Sequence, residues 1–205
     1  LLIVHDLIGE DKIRVYRDMG IPVYVVRIPV SIKDVQNKIF RLSQLVGEQQ
    51  RGINLVAKMN KMLSRIEGNI PQNVKFSKSS VLVAMNHSIY GGRGCVYDDV
   101  CKYAKVRNRI SEVGIANGET VSKEIMLEVD PDYFFLTKSR SACNAYDEKL
   151  INEFVNDKSL ENLRAVKNGN VALLDEKYIF IGHQNCVWSV QKLAHLVYGD
   201  CVTLE

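Results

Sequence analysis

The sequence predicts an α/β protein: a three-layer α/β lobe, with helices on both faces of a parallel or mixed sheet, joined by a long bridging helix to the remnant of a second α/β lobe. Three observations predict it. The first thirty residues read strand, helix, strand. A long stretch of helical periodicity follows, interrupted once at Gly47 and ended at Gly68. Beyond Ser80, short β-rich runs alternate with helical patterns, the arrangement that builds a sheet covered on both faces.

The elements follow in order. Leu1 to Val4 is a short apolar run, Glu10 to Met19 an amphipathic helix stopped at Gly20, and Ile21 to Val26 a β-rich run with Pro22 near its start, where a missing N–H is tolerated. This is the closing βαβ of an α/β layer whose earlier strands are expected upstream of Leu1. Ser31 is placed to N-cap a helix carrying Ile32, Val35, Ile39, Leu42 and Leu45 at helical spacing. From Glu48 to Ile66 the apolar stripe resumes with Ile53, Val56, Met59, Leu63 and Ile66, broadened by Leu55 and Met62. Such a helix is about 30 Å long at 1.5 Å per residue, enough to cross between lobes, although periodicity alone equally suits an ordinary core helix. The polar stretch from Asn69 to Ser79, with Pro71, marks a boundary. The expected organisation is therefore 1–30 as the end of a first lobe, 31–68 as the short and bridging helices, and 69–205 as the second lobe. In that lobe the strands fall at Ser80 to Met85, Tyr133 to Leu136 and Asn170 to Leu174. The helices fall at Tyr97 to Lys105, Lys123 to Val129, Asp147 to Val155 and Cys186 to Val197.

Composition narrows the function. Hydrophobic residues make up 46% and charged residues 25% of the 205, the proportions of a globular chain with a real core. The net charge of +3 is spread without a Lys/Arg stripe or a block of like charges, which argues against nucleic acid. No apolar run reaches the roughly 18 residues of a membrane span. The chain opens directly on a strand-like run, so its natural N-terminus is expected upstream of Leu1. The five cysteines form no CxxC pair and no zinc spacing with histidine, so no metal site is expected, and their odd number leaves at least one without an internal partner.

Three loops hold the residues suited to binding. Asn86 to Cys95, with Gly91-Gly92-Arg93-Gly94, follows a strand and opens a helix, the position at which open α/β sheets take ligands. Tyr90 offers a stacking face with a hydroxyl and Arg93 a fixed cationic fork. The glycines give a weak phosphate signal, since neither dinucleotide nor P-loop spacing is complete, and a simple tight turn accounts for them as well. Lys138 and Arg140, with Ser139 and Ser141, follow the Tyr133 strand and suit an acidic ligand. His183 precedes the last helix, whose Trp188 reads as core; His5 and His195 read as structural. No nucleophile–base motif is present. Asp98-Asp99 sit in the first turn of a helix, where the dipole favours them.

The order of motifs resembles the class III periplasmic-type binding proteins of ABC importers for ferric siderophores, haem and cobalamin. Arg17-Asp18-Met19-Gly20-Ile21-Pro22-Val23 is similar to the family's closing helix and Gly-Ile-Pro-Val strand. Ile32 to Gly47 and Glu48 to Ile66 resemble its short and bridging helices. Gly92-Arg93-Gly94-Cys95 through Asn108 resembles its Gly-x-Gly-Ser/Thr loop, helix and Gly-Gly-x-Asn run. Ser122-Lys123-Glu124 through Pro131-Asp132, and Leu163 through Val171, resemble the Ser-x-Glu, x-Pro-Asp and Ala-Val-Lys-Asn-Gly stretches. The chain departs at Cys95, where Ser or Thr caps the helix, and at Val106-Arg107, where the glycine pair stands. The resemblance implies a ligand (ferric siderophore, haem or corrinoid) held between two lobes without turnover, with Tyr90, Arg93, Lys138, Arg140 and His183 lining the second-lobe half. It implies a membrane permease as partner, docked through acidic side chains such as Glu124, Glu148 and Glu153. It also implies a place outside the cytoplasmic membrane, in a periplasm or behind a lipid anchor, and no resident cofactor. The competing readings are an α/β enzyme using Gly91–Gly94 for a phosphate-bearing cofactor, and a scaffold lobe that has lost its ligand.

Overall fold

The computed structural model describes residues 1–83, 91–138, 144–179, 182–199 and 202, the side chains of Lys138 and of residues 144–147 excepted. Two parallel sheets organise it. In the first, β1 (Leu2–His5) pairs in register with β2 (Val23–Val26), connected by α1 (Glu10–Asp18). In the second, four strands lie in the order β4-β3-β5-β6, all parallel: β3 (Ser79–Val83), β4 (Arg107–Asn108), β5 (Tyr133–Lys138) and β6 (Val171–Asp175).

The second sheet is buried on both faces, which explains why its strands carry unbroken apolar runs rather than alternation. Phe135 and Leu82 point into one core; Phe134, Leu136, Val81 and Val83 point into the other. The first core is closed by α3 (Gln49–Asn69), α4 (Val96–Tyr103) and α9 (Cys186–Tyr198). The second is closed by α5 (Arg109–Glu112), α6 (Lys123–Val129), α8 (Arg164–Lys167) and the partly buried Leu150 and Phe154 of α7 (Asn144–Val155). This is the three-layer α/β lobe that the alternating pattern predicts. Trp188 packs against the first core as expected, and His195 is structural, its Nδ1 lying 2.8 Å from the Val202 carbonyl.

The two sheets are connected through α2 (Ile32–Leu45) and α3. Ser31 N-caps α2, its Oγ accepting from Asp34 N–H at 3.0 Å, and Gly47 turns the chain between the helices with φ of 78°. Ile32, Val35, Met59, Leu63, Ile66 and Ile70 all enter the core shared with α4 and α9. The C-terminal half of α3 thus lies on the second lobe, and its N-terminal half lies against α2 at Gly52. There a Cβ would stand 2.1 Å from Ser43 Oγ, so glycine is the residue that lets these helices approach. The buried row is Gly52, Met59, Leu63 and Ile66. Ile53, expected on that stripe, is 47% exposed, because it is rotated about 100° from Gly52 around the helix.

Two of the stretches that carry the resemblance meet at the amino ends of the strands, away from any ligand edge. Asp132 Oδ2 accepts from both the amide and the hydroxyl of Ser79 at 2.8 Å, and Arg164 pairs with Asp130 at 2.7 Å and Asp132 at 3.0 Å. Burial pulls the Asp132 pKa upward, but the Ser79 hydrogen bonds and the Arg164 charge outweigh it and hold the carboxyl below its ordinary value. Ahead of Val106-Arg107, which stand in place of the family's glycine pair, Lys105 takes a left-handed φ of 56°, and its carbonyl accepts from Phe76 N–H and from the Tyr198 hydroxyl.

Candidate functional site

Parallel strands leave their carboxyl ends on one edge, and the loops leaving that edge are where open α/β sheets place ligands. In the first sheet those ends are His5-Asp6 and Val26-Arg27. A cavity of 710 Å³ opens there, walled by Asp6 and Tyr24, by the loop Arg27-Ile28-Pro29-Val30, and by the helix face carrying Asp34, Asn37, Lys38 and Arg41. That volume falls within the range of small-molecule sites. The helix face arises because α2 buries Ile32, Val35, Gln36 and Ser43 on one side, so residues 34, 37, 38 and 41 align on another.

The cavity wall is fixed by its own carboxylates. Asp6 Oδ1 accepts from Ile28 N–H at 3.2 Å, and Asp34 Oδ2 accepts from Val30 N–H at 3.3 Å. The start of α2 is tied to the second lobe by Ile32 N–H, which donates to Asp99 Oδ2 at 2.8 Å. Asp99 therefore does more than favour its own helix dipole. On the far side, the chain leaving the carboxyl end of β6 returns to this wall: Lys38 Nζ donates to the Gly182 carbonyl, and Gly182 sits against Pro29, where a Cβ would lie 3.0 Å from Pro29 Cγ. Loops from the carboxyl ends of both sheets thus converge at Pro29, Lys38 and Gly182. Burial lowers the Lys38 pKa from its ordinary value, opposed by the nearby Cys186.

The sequence-predicted residues distribute unevenly. His183 is exposed beside Gly182, its Nδ1 accepting from Asn185 N–H at 3.3 Å. Arg93 is exposed in the loop ahead of α4, with its guanidinium over Gly114. Neither lies in the lining of the 710 Å³ cavity. Lys138 ends β5, opposite Asp175 in register; its side chain, Tyr90 and Arg140 lie outside the described residues. The cavity residues Arg27, Lys38 and Arg41 were not expected. The signal for them in sequence was the polar row 34, 37, 38, 41 on α2, which reads as an ordinary solvated face.

The glycine loop is a packing device. Gly92 passes so close to the turn at 115–116 that a Cβ would stand 2.6 Å from the Ala116 carbonyl. Gly91 N–H donates to Asn117 Oδ1 at 3.2 Å and Arg93 N–H to the Ile115 carbonyl at 2.8 Å. The buried Asn108 amide holds the loop from below, donating to Gly91 O at 2.6 Å and to Asp98 Oδ1 at 3.0 Å. The Gly91 and Arg93 amides are spent in this way and are not offered to a phosphate. Cys95 does not cap α4 through its side chain; Sγ donates instead to Gly92 O at 3.2 Å. Cys95, Cys101 and Cys186 are free and buried, and burial pushes the Cys101 and Cys186 thiols up to about 12, so both are protonated at neutral pH and behave as core residues.

Comparison with known proteins follows the same line. The family model described as periplasmic binding protein matches residues 1–178. No curated protein sequence matches the chain. Among solved structures, the fold is similar to a possible iron-binding (periplasmic solute-binding) protein from Staphylococcus epidermidis ATCC 12228, at 18% identity and a TM-score of 0.78, over 96% of this chain and 75% of that one. It is similar to a periplasmic haem-binding protein from Roseiflexus sp. RS-1 at 17% identity and a TM-score of 0.77, over 98% of this chain and 76% of that one. It is also similar to an ABC transporter substrate-binding protein from Listeria monocytogenes EGD-e at 15% identity and a TM-score of 0.80, over 97% of this chain and 77% of that one. At these identities the likeness is one of fold.

Proposed function

Since the chain belongs to the periplasmic binding protein family, we propose that it is the extracytoplasmic substrate-binding component of an ABC importer, holding a ferric siderophore, haem or corrinoid ligand between two lobes and handing it to a membrane permease. The observation that carries this reading is the convergence of strand-end loops from both sheets at Pro29, Lys38 and Gly182, beside a cavity of ligand size. Binding and release need such a crevice; they need no nucleophile or proton relay. The helical connection through α2 and α3 suits small closures, because bending a helix breaks its i→i−4 hydrogen bonds.

In this reading Tyr90, Arg93, Lys138, Arg140 and His183 face the ligand from the second lobe, and the 27–30 loop with α2 faces it from the other side. The organisation is 1–30, 31–68 and 69–205. Glu124, Glu148 and Glu153, all exposed, are the acidic contacts for a permease, with lipid anchorage or permease docking as the route to the membrane. Titration of the protein with ferric chelates, haem and cyanocobalamin, followed through Trp188 fluorescence and equilibrium dialysis, tests the proposal. Binding of one of these at about micromolar affinity or tighter is expected. Protection against heat by ATP or NAD, with no response to the three probes, overturns it in favour of a nucleotide-dependent protein.

A further inference from the structure

Resting on the binding-protein reading above, we infer that the ligand is anionic and that Arg27 and Arg41 select it. The cavity wall carries three cations, Arg27, Lys38 and Arg41, and two carboxylates, Asp6 and Asp34. The carboxylates are committed to the wall itself, since each accepts from a backbone amide of the 28–30 loop. Lys38 is likewise occupied, its ammonium donating to the Gly182 carbonyl. Among the described residues, Arg27 and Arg41 make no ion pair or hydrogen bond, and both are exposed at the cavity. Two guanidinium forks are therefore free, one on the strand-end loop and one on the third turn of α2.

The local excess of positive charge is not a reflection of the whole chain, whose net charge is only +3 over 205 residues. It is placed where a carboxylate or catecholate can be met in two parallel N–H···O bonds, the geometry that a guanidinium offers and an ammonium does not. Tyr24 and Asn37 line the same cavity and add uncharged polar groups. The ligand class this wall fits is a metal chelate carrying carboxylate or catecholate charge; cyanocobalamin, neutral overall with a single phosphodiester anion, leaves at least one of the two guanidinium groups without an anionic partner.

The test compares the full chain with the Arg27→Gln/Arg41→Gln double variant and with Arg27→Lys/Arg41→Lys, using ferric citrate and haem as anionic probes and cyanocobalamin as the neutral one. Far-ultraviolet circular dichroism checks that each variant is folded. The expected result is binding of an anionic probe that weakens about tenfold or more in the Gln variant, since each charge-assisted bond contributes at least that factor. The Lys variant falls between, and binding weakens as NaCl is raised. Equal affinity of wild type and Gln variant for the anionic probe overturns the inference and leaves the binding-protein reading standing. So does binding of cyanocobalamin alone. Failure of all three probes overturns the binding-protein reading and the inference with it.

Discussion

Residues 1–30 and residues 79–202 use the same elements, parallel strands joined by helices, and meet solvent in opposite ways. In the first unit Leu1, Ile3, Leu7, Val15, Tyr16, Met19, Ile28 and Val30 are exposed, and only Ile13 and Val26 are buried among its large aliphatic side chains. In the second, among the described residues, only Val113 and Leu127 are exposed large hydrophobics, while Phe134 and Phe135 are fully buried on opposite faces. The difference lies in layers. Two strands and one helix cover one face in part; four strands with helices on both sides enclose two cores. Secondary structure follows from local pattern, whereas burial is conferred by the elements that pack against it, and residues 1–30 by themselves supply only two strands and one helix. The same contrast shapes the site: the exposed strand ends of the first unit leave a cavity open, and the packed second lobe supplies the loop that reaches across to it.

The largest effect that tests this contrast is the loss of a central aromatic. Phe135 is fully buried in β5, paired in register with Leu82 on one side and Ala172 on the other, and stacked on Tyr133 at 6.2 Å. Phe135→Ala is expected to cost about 3–5 kcal/mol in urea unfolding. Leu7→Ala, at a side chain 79% exposed in the first unit, is expected to change stability by less than about 0.5 kcal/mol. Amides of β1 and β2 should exchange with deuterium ahead of those of β3 and β5. Similar costs for the two substitutions would break the comparison.

A smaller effect comes from the loops that leave β1 and β3. Each carries a glycine ahead of its helix, Gly9 before α1 and Gly92 before α4. A Cβ on Gly92 would stand 2.6 Å from backbone atoms of Ala116, whereas one on Gly9 meets nothing within 4 Å. Gly92→Ala must push the loop off the 115–117 turn, at about 1–3 kcal/mol. Gly9→Ala gives up only a modest N-cap preference, under about 1 kcal/mol. Thermal unfolding of the two variants measures the difference. A Gly92→Ala protein as stable as wild type would mean the glycine serves something other than packing.

Much of this was legible in the sequence. The runs at β5 and β6, the helix at Lys123–Val129 and the Ser31 cap are local patterns, and the structure reproduces them within a residue or two. β4, α5 and α8 escaped because two to four residues are too few to show a period. The fate of Ile53 turned on a close approach at Gly52 that no stripe announces. The cavity was the least legible part. Its lining comes entirely from residues 6–42, and Arg27 meets Lys38 and Arg41 only once β1 pairs with β2 and the chain turns into α2, a juxtaposition that no single stretch of pattern displays.

The smallest expected effect sharpens the comparison along the pH axis. In the first unit the ion pairs lie on one helix, Asp11 with Arg14 and Glu10 with Arg17. In the second lobe Lys123 Nζ reaches Asp157 Oδ2 at 2.6 Å and ties α6 to the end of α7 across 34 residues of sequence. The Lys123 hydrogen bond, with those from the Ser159 hydroxyl and amide, holds the Asp157 carboxyl down to about 2, from an ordinary value of 3.8. A carboxyl whose folded pKa is depressed adds stability that is fully present above the unfolded value and is lost as pH falls through the folded one. The window is therefore pH 4 to 2. Asp157→Asn should flatten the fall in second-lobe stability across that window, measured by urea unfolding at stepped pH, and leave the curve above pH 5 displaced but parallel. Glu10→Gln, which removes a pair confined to one exposed helix, should leave the same curve unchanged. A slope between pH 4 and 2 that persists in the Asp157→Asn protein would assign acid sensitivity to other carboxyls and remove this pair from the account of what binds the second lobe together.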